Sequence, residues 1–139
     1  YTDRQLPGVG ISIGLTRLFY VLSEQGLISD EIVTAPADAL VIPMTEDISF
    51  AVRTATVLRD RGVRTQLYTE QKKFKAKMSY AGRAGFPYVV LIGEDEIALG
   101  AVALKNMETG EQLPATPERA AEIIAEGVAR RNAARLIKE

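Results

Sequence analysis

The sequence predicts an α/β domain on a mixed five-stranded sheet, parallel at first and completed by an antiparallel edge hairpin, with helices on both faces. Three observations carry this reading. The short apolar runs ALVIP (39–43) and YVVLI (88–92) have the length and composition of buried strands. Amphipathic stretches with helical spacing separate and follow such runs. Proline and glycine punctuate the joins, and the order β-α-β-α-β-β-β-α leads to a sheet covered on both sides.

Residues 1–34 differ in character from the rest. Gly8, Gly10 and Gly14 alternate with Val9, Ile11 and Ile13, a pattern expected of a tightly packed strand entering a helix. Leu15, Leu18, Phe19 and Leu22 then recur at helical spacing to about Gln25, and Gly26 is a natural stop. The segment 26–38 reads as a linker, with Pro36 marking its end. The expected division is therefore 1–34 and 35–139. After the strand 39–43, a helix over 46–61 should turn Phe50, Ala51, Thr54, Val57 and Leu58 inward, with Arg53, Arg59 and Asp60 on the other side. A strand at 63–68 follows, then a helix over 72–83 with Phe74, Met78 and Ala81 inward. The strand 88–92 is the most apolar run and so the central one. Segments 101–105 and 111–113 form a hairpin around METG. The last helix has Thr116 as N-cap and Pro117 at its first position, with Ala120, Ile123, Ile124, Gly127 and Val128 packing on the sheet. The first three strands, joined by crossovers, should be parallel.

A chain of 139 residues, 47% apolar and 25% charged, suffices for one compact core and hardly for two. A net charge of −1 means that any site for a polyanion is a local patch. Cysteine and histidine are both absent. This excludes disulfides, thiol chemistry and cysteine-ligated zinc, and removes the usual neutral-pH base; it also fits a reducing cytosol. No apolar run approaches the ~20 residues of a membrane helix, and no metal site or membrane partner is expected. A start at Tyr1 without methionine or a signal-peptide pattern is expected of the interior of a longer protein.

In chain order, residues 72–110 run from a basic helix through a buried strand and an acidic turn to a hairpin. This order is expected to put cations and a carboxylate on one rim of the sheet, where nucleic acid can be read by phosphate and by base. Lys72, Lys73, Lys75 and Lys77, with Arg83, sit among few acids. At about 100° per residue, Lys73 and Lys77 should share an outer face, while Lys72 and Lys75 flank Phe74. They are phosphate contacts or a solvated face. Glu94, Asp95 and Glu96 follow the central strand, where α/β sheets bind ligands. They suit a base amine, Mg²⁺ or acid–base work, or plain helix-start residues. Lys105 and Asn106 can donate to a phosphate or base edge, and Tyr68 and Tyr80 can stack on unpaired bases or simply lie half-buried. The spacing GxGxxxG at 8–14 is not a dinucleotide fingerprint. Arg17 is the single charge near that helix start and either meets an anion or faces solvent.

Taken together, PGVGISIGLTRLF (7–19), GEDE (93–96) and KNMETGE (105–111) resemble the histidyl-tRNA synthetase family over essentially the whole chain. The first looks like motif 3 of the class II catalytic domain. The rest is similar to the anticodon-binding domain, with Lys75, Tyr80, Ala81, Gly100 and Lys105 at family positions. The resemblance implies that residues 1–34 are the end of a catalytic domain in which Arg17 contacts ATP phosphates. It further implies that Glu96 and Lys105 read bases, and that the lysines of 72–77 hold the anticodon stem. The implied partner is tRNA(His). For the parent ligase it implies histidine and ATP with Mg²⁺ as substrates, a homodimer and a cytoplasmic location. Motifs 1 and 2 are missing, so the chain alone should carry no cofactor and be inactive as a ligase. The competing reading is a synthetase paralogue serving as a regulatory or other RNA- or protein-binding module.

Overall fold

The computed structural model describes residues 8–28 and 35–136. Pro7 of the glycine-rich motif and positions 29–34 of the expected linker lie outside the described residues. The chain divides into two units, 1–33 and 34–139.

In the first unit, helix α1 spans Leu15–Glu24, with Gly14 as N-cap and Gln25 as C-cap. Gly26 closes the end through its N–H to Ser23 O at 3.0 Å. The strand expected at 8–14 is absent: these residues have no regular structure and are exposed. Alternating Val, Ile and Gly favour extended backbone, but a strand exists only through a hydrogen-bonded neighbour, and the described residues supply none.

The second unit holds strands β1 (Ala39–Pro43), β2 (Thr65–Leu67), β3 (Tyr88–Ile92), β4 (Val102–Asn106) and β5 (Gln112–Ala115). Its helices are α2 (Ser49–Asp60), α3 (Phe74–Arg83), α4 (Glu94–Leu99) and α5 (Pro117–Leu136). The sheet order is β2-β1-β3-β4-β5. β1 pairs parallel with both β2 and β3, and β4 pairs antiparallel with β3 and β5. Parallel front and antiparallel hairpin are both as the sequence predicts.

Alternation along the strands sorts the core into two layers. Ala39, Val41, Tyr88, Val90, Ile92, Val102 and Leu104 point to one face, where Ala51, Ala55 and Leu58 of α2 and Ala120, Ala121 and Ile124 of α5 cover them. Leu40, Ile42 and Val89 point to the other face, against Ala81 of α3, Tyr68 and Phe86. β1 is buried at every position, which explains its lack of polar residues. On the first face, Glu122 of α5 pairs with Arg119 at 2.8 Å and with Arg61 after α2 at 3.4 Å.

The acidic segment read as a turn is the helix α4. Gly93 is its extended N-cap, and Glu94, Asp95 and Glu96 fill its first turn, where carboxylates meet the positive end of the helix dipole. Gly100 ends it at φ 62°, a left-handed conformation that glycine adopts without steric cost.

Candidate nucleic-acid interface

The three parallel strands share a direction, so β1, β2 and β3 end at one rim. Met44 N–H bonds Ile92 O at 2.8 Å, and Tyr68 N–H bonds Val41 O at 2.9 Å, which locks the three exits together. Helix α3 begins at this rim. Its N-cap, Lys73, is extended (φ −61°, ψ 148°) and gives no side-chain bond, and its first turn carries no acid. The positive end of the helix therefore stays uncompensated. Lys72, Lys73 and Lys75 are exposed around it, and Arg83 is exposed in the last turn of the same helix.

Between β2 and α3 lies a cleft of about 320 Å³, lined among others by Gln66, Tyr68, Lys72, Ser79, Tyr80 and Arg83. Two cations at its wall and hydroxyl and amide groups inside suit an anionic, hydrogen-bonding ligand. Lys72 is partly neutralised there by an ion pair with Glu70. The hydrogen bond and charge of that pair hold the Glu70 carboxyl below its usual range and raise Lys72. Uncompensated positive charge thus rests mainly on Lys73, Lys75 and Arg83. The tyrosines form the cleft floor. Tyr68 is only 7% exposed. Its ring meets Tyr80 edge-on at 5.6 Å, and Tyr80 in turn meets Phe86 at 6.0 Å and accepts from Gln66 Nε2 at 3.0 Å. The blander expectation for these rings, packing at a sheet edge, is what their contacts describe.

Two residues of α3 are reversed relative to the sequence expectation. Lys77, placed on the outer face with Lys73, is 9% exposed. Its Nζ donates to Pro43 O at 2.7 Å and lies 5.6 Å from the Tyr68 ring centroid. The apolar stem covers the sheet while the ammonium finds the free carbonyl at the end of β1. Phe74, expected inward, is 46% exposed. The helix starts at Phe74, so that residue sits at the first turn, at the very edge of the sheet it was expected to cover.

The single-rim expectation fails for Lys105 and Asn106. Register pairs Lys105 with Val89 and Asn106 with Tyr88, at the beginning of β3. Because β4 runs antiparallel, chain order carries Lys105 back to the opposite rim. Asn106 is engaged locally: its Oδ1 accepts from the N–H groups of Glu108 at 2.9 Å and Thr109 at 3.2 Å, shaping the hairpin turn. Glu96 stays on the first rim, half-buried, with Oε2 accepting from Gly93 N–H at 2.9 Å. One of its oxygens is therefore committed to the start of α4. Arg17 lies exposed on α1 in the other unit.

Sequence reasoning missed Asp38 and Arg64. Arg64 Nη2 donates to Asp38 Oδ1 at 2.6 Å, while its Nε and backbone N–H both reach Oδ2 at 3.1 Å. This clamp ties the beginnings of β1 and β2 together, and the hydrogen bond that Arg64 donates to Asp38 raises the Arg64 pKa. The available signal was an acid just before one buried strand and an arginine just before the next. Among the described residues, no group of three or more acidic side chains converges on a point that would hold a metal ion. No described helix is long and apolar enough to cross a membrane.

Residues 38–127 match the profile of a family described as "Anticodon binding domain". The histidine--tRNA ligase of Clostridium tetani is 45% identical over 124 residues, covering 89% of this chain and 28% of that protein. The histidine--tRNA ligase of Xylella fastidiosa (strain M23) is 46% identical over 113 residues, 81% of this chain and 24% of its own length. Among solved structures, histidyl-tRNA synthetase from Nostoc sp. superposes with a TM-score of 0.69 at 27% identity, over 84% of this chain and 28% of that one. The RNA binding domain of threonyl-tRNA synthetase from Cryptosporidium parvum shares the fold, with a TM-score of 0.61 at 20% identity over 66% of this chain and 23% of that one. The chain spans about a quarter of the length of the curated relatives it matches.

Proposed function

Because this chain belongs to the anticodon binding domain family, in the form that histidine--tRNA ligases carry, we propose that residues 35–139 read the anticodon of tRNA(His). The observation that carries the reading is the acid-free segment 72–83, which presents exposed Lys72, Lys73, Lys75 and Arg83 beside a polar cleft. In a molecule of net charge −1, such a concentration suits phosphate contacts that position an RNA stem. Glu96 and Lys105 read bases of the unpaired loop, from opposite rims of the sheet. Tyr68 and Lys77 support the cleft from beneath, and Asn106 holds the hairpin that presents Lys105.

Residues 1–34 are the end of a catalytic domain, in which Arg17 neutralises ATP phosphate. The full-length parent joins histidine to tRNA(His) with ATP and Mg²⁺ as substrates, as a cytoplasmic homodimer, and the 139-residue chain is inactive alone. Binding is measured by anisotropy of labelled tRNA(His) and of the same tRNA with an exchanged anticodon. The cognate tRNA should bind more tightly, and affinity should fall steeply with salt. Equal affinities would remove anticodon reading, and no binding at low salt would remove RNA binding altogether. Histidine-dependent ATP–pyrophosphate exchange by the chain itself would overturn the assignment of catalysis to the absent part.

A further inference from the structure

We propose that Phe74 is a stacking platform for an unpaired base of the bound RNA, an inference that rests on the RNA-binding reading above. Phe74 is the most exposed aromatic side chain among the described residues of 35–136, at 46%. Its position follows from a fixed contact. Lys77 Nζ on Pro43 O sets the first turns of α3 against the end of β1. Phe74 lies three residues earlier on the same helical face, about 4.5 Å further along the axis and past the last strand residue. Met44, the residue that follows β1, is likewise exposed there, at 48%.

The surroundings select the occupant. Phe74 is flanked by exposed Lys73 and Lys75, within a twelve-residue segment (72–83) holding five cations and no acid. An apolar protein surface placed on the ring would desolvate those ammonium groups without pairing them. A single-stranded RNA supplies both requirements, a flat base for the ring and phosphates for the lysines. The neighbouring tyrosines do not compete for this role. Tyr68 is buried, and Tyr80 is held by Gln66, Tyr68 and Phe86.

The chain contains no tryptophan, so Phe74→Trp introduces a single reporter at this site. Phe74→Trp should bind tRNA(His) within about threefold of the parent, with its emission quenched on saturation; a fully paired RNA duplex should leave the emission unchanged. Phe74→Ala should weaken tRNA binding about tenfold, in line with the loss of one base–aromatic stack. Phe74→Leu, which keeps apolar bulk and so the fold, should weaken it similarly. If the parent binds tRNA(His) while the Leu variant binds equally well, or the Trp emission does not move at saturation, the inference fails and the RNA-binding reading stands. If the parent binds no tRNA, both fall.

Discussion

Gly127 lies where α5 passes the start of β3. A Cβ built on it would stand 1.8 Å from the Tyr88 hydroxyl oxygen and 2.8 Å from ring carbon Cζ. Alanine is the better helix former by about 1 kcal/mol, whereas forcing an extra methyl into a packed contact costs about 1–3 kcal/mol. Gly127→Ala should therefore lower unfolding free energy by about 1 kcal/mol in urea denaturation, despite its helical position. In a Tyr88→Phe background the loss should shrink, because the nearest clashing atom is gone. An equal loss in both backgrounds would move the cause elsewhere. Helical spacing in the sequence already put Gly127 on the packing face. Its reason for being glycine was not legible, since that depends on which strand residue α5 crosses. Lys77 failed for a related reason. Angular position alone cannot tell an outward lysine from one whose stem lies on the sheet and whose ammonium reaches a carbonyl 34 positions earlier.

At the scale of elements, α3 offers a direct contrast between two lysines. Lys75 is exposed and Lys77 buried, so their substitutions should act on different quantities. Lys75→Gln should reduce the slope of log affinity for tRNA against log salt by about one and leave the thermal midpoint unchanged. Lys77→Gln should lower the thermal midpoint by several degrees, about 1–2 kcal/mol of lost support under Tyr68, with the salt slope retained. Swapped phenotypes would mean that the burial of Lys77 is not what decides its role. The entry to α2 carries a pH signature. Asp47 Oδ1 accepts from Ser49 N–H at 2.8 Å, and this bonding to Ser49 lowers the Asp47 pKa from its ordinary 3.8. A carboxyl lowered in the folded state stabilises above its unfolded value, and that stability is lost as pH falls through the folded value. Asp47→Asn should thus melt below the unsubstituted chain near neutral pH, and the two curves should converge as pH falls below the ordinary carboxylate range and through the lowered value. A difference independent of pH would exclude this origin. The strands and helices themselves were legible because apolar period and Gly/Pro punctuation encode them locally. The strand expected at 8–14 was a misreading, since alternating Val, Ile and Gly encode extended backbone but not the neighbour a strand needs. The single rim was lost the same way: Lys105 follows the acidic turn in sequence, yet the antiparallel return of β4 carries it to the far end.

As a whole molecule, the second unit contains both core layers, with every described strand and both covering sets of helices inside 34–139. A chain starting at residue 34 should unfold cooperatively with the midpoint of the 139-residue chain, by calorimetry or far-ultraviolet dichroism. A broad transition, or a midpoint lower by many degrees, would show that residues 1–33 are needed for its stability. The order β2-β1-β3 has a further consequence for how such a chain is made. β1 emerges first but occupies the middle of the parallel part, apolar and buried at all five positions. Its second neighbour, β3, ends 49 residues after β1 does. At a ribosomal pace of about 5–20 residues per second, β1 waits roughly 2–10 s with one flank unpaired. Of the strands with two neighbours, β1 waits longest for its second one, and this interval is when the nascent chain is most exposed to aggregation and has most use for a chaperone.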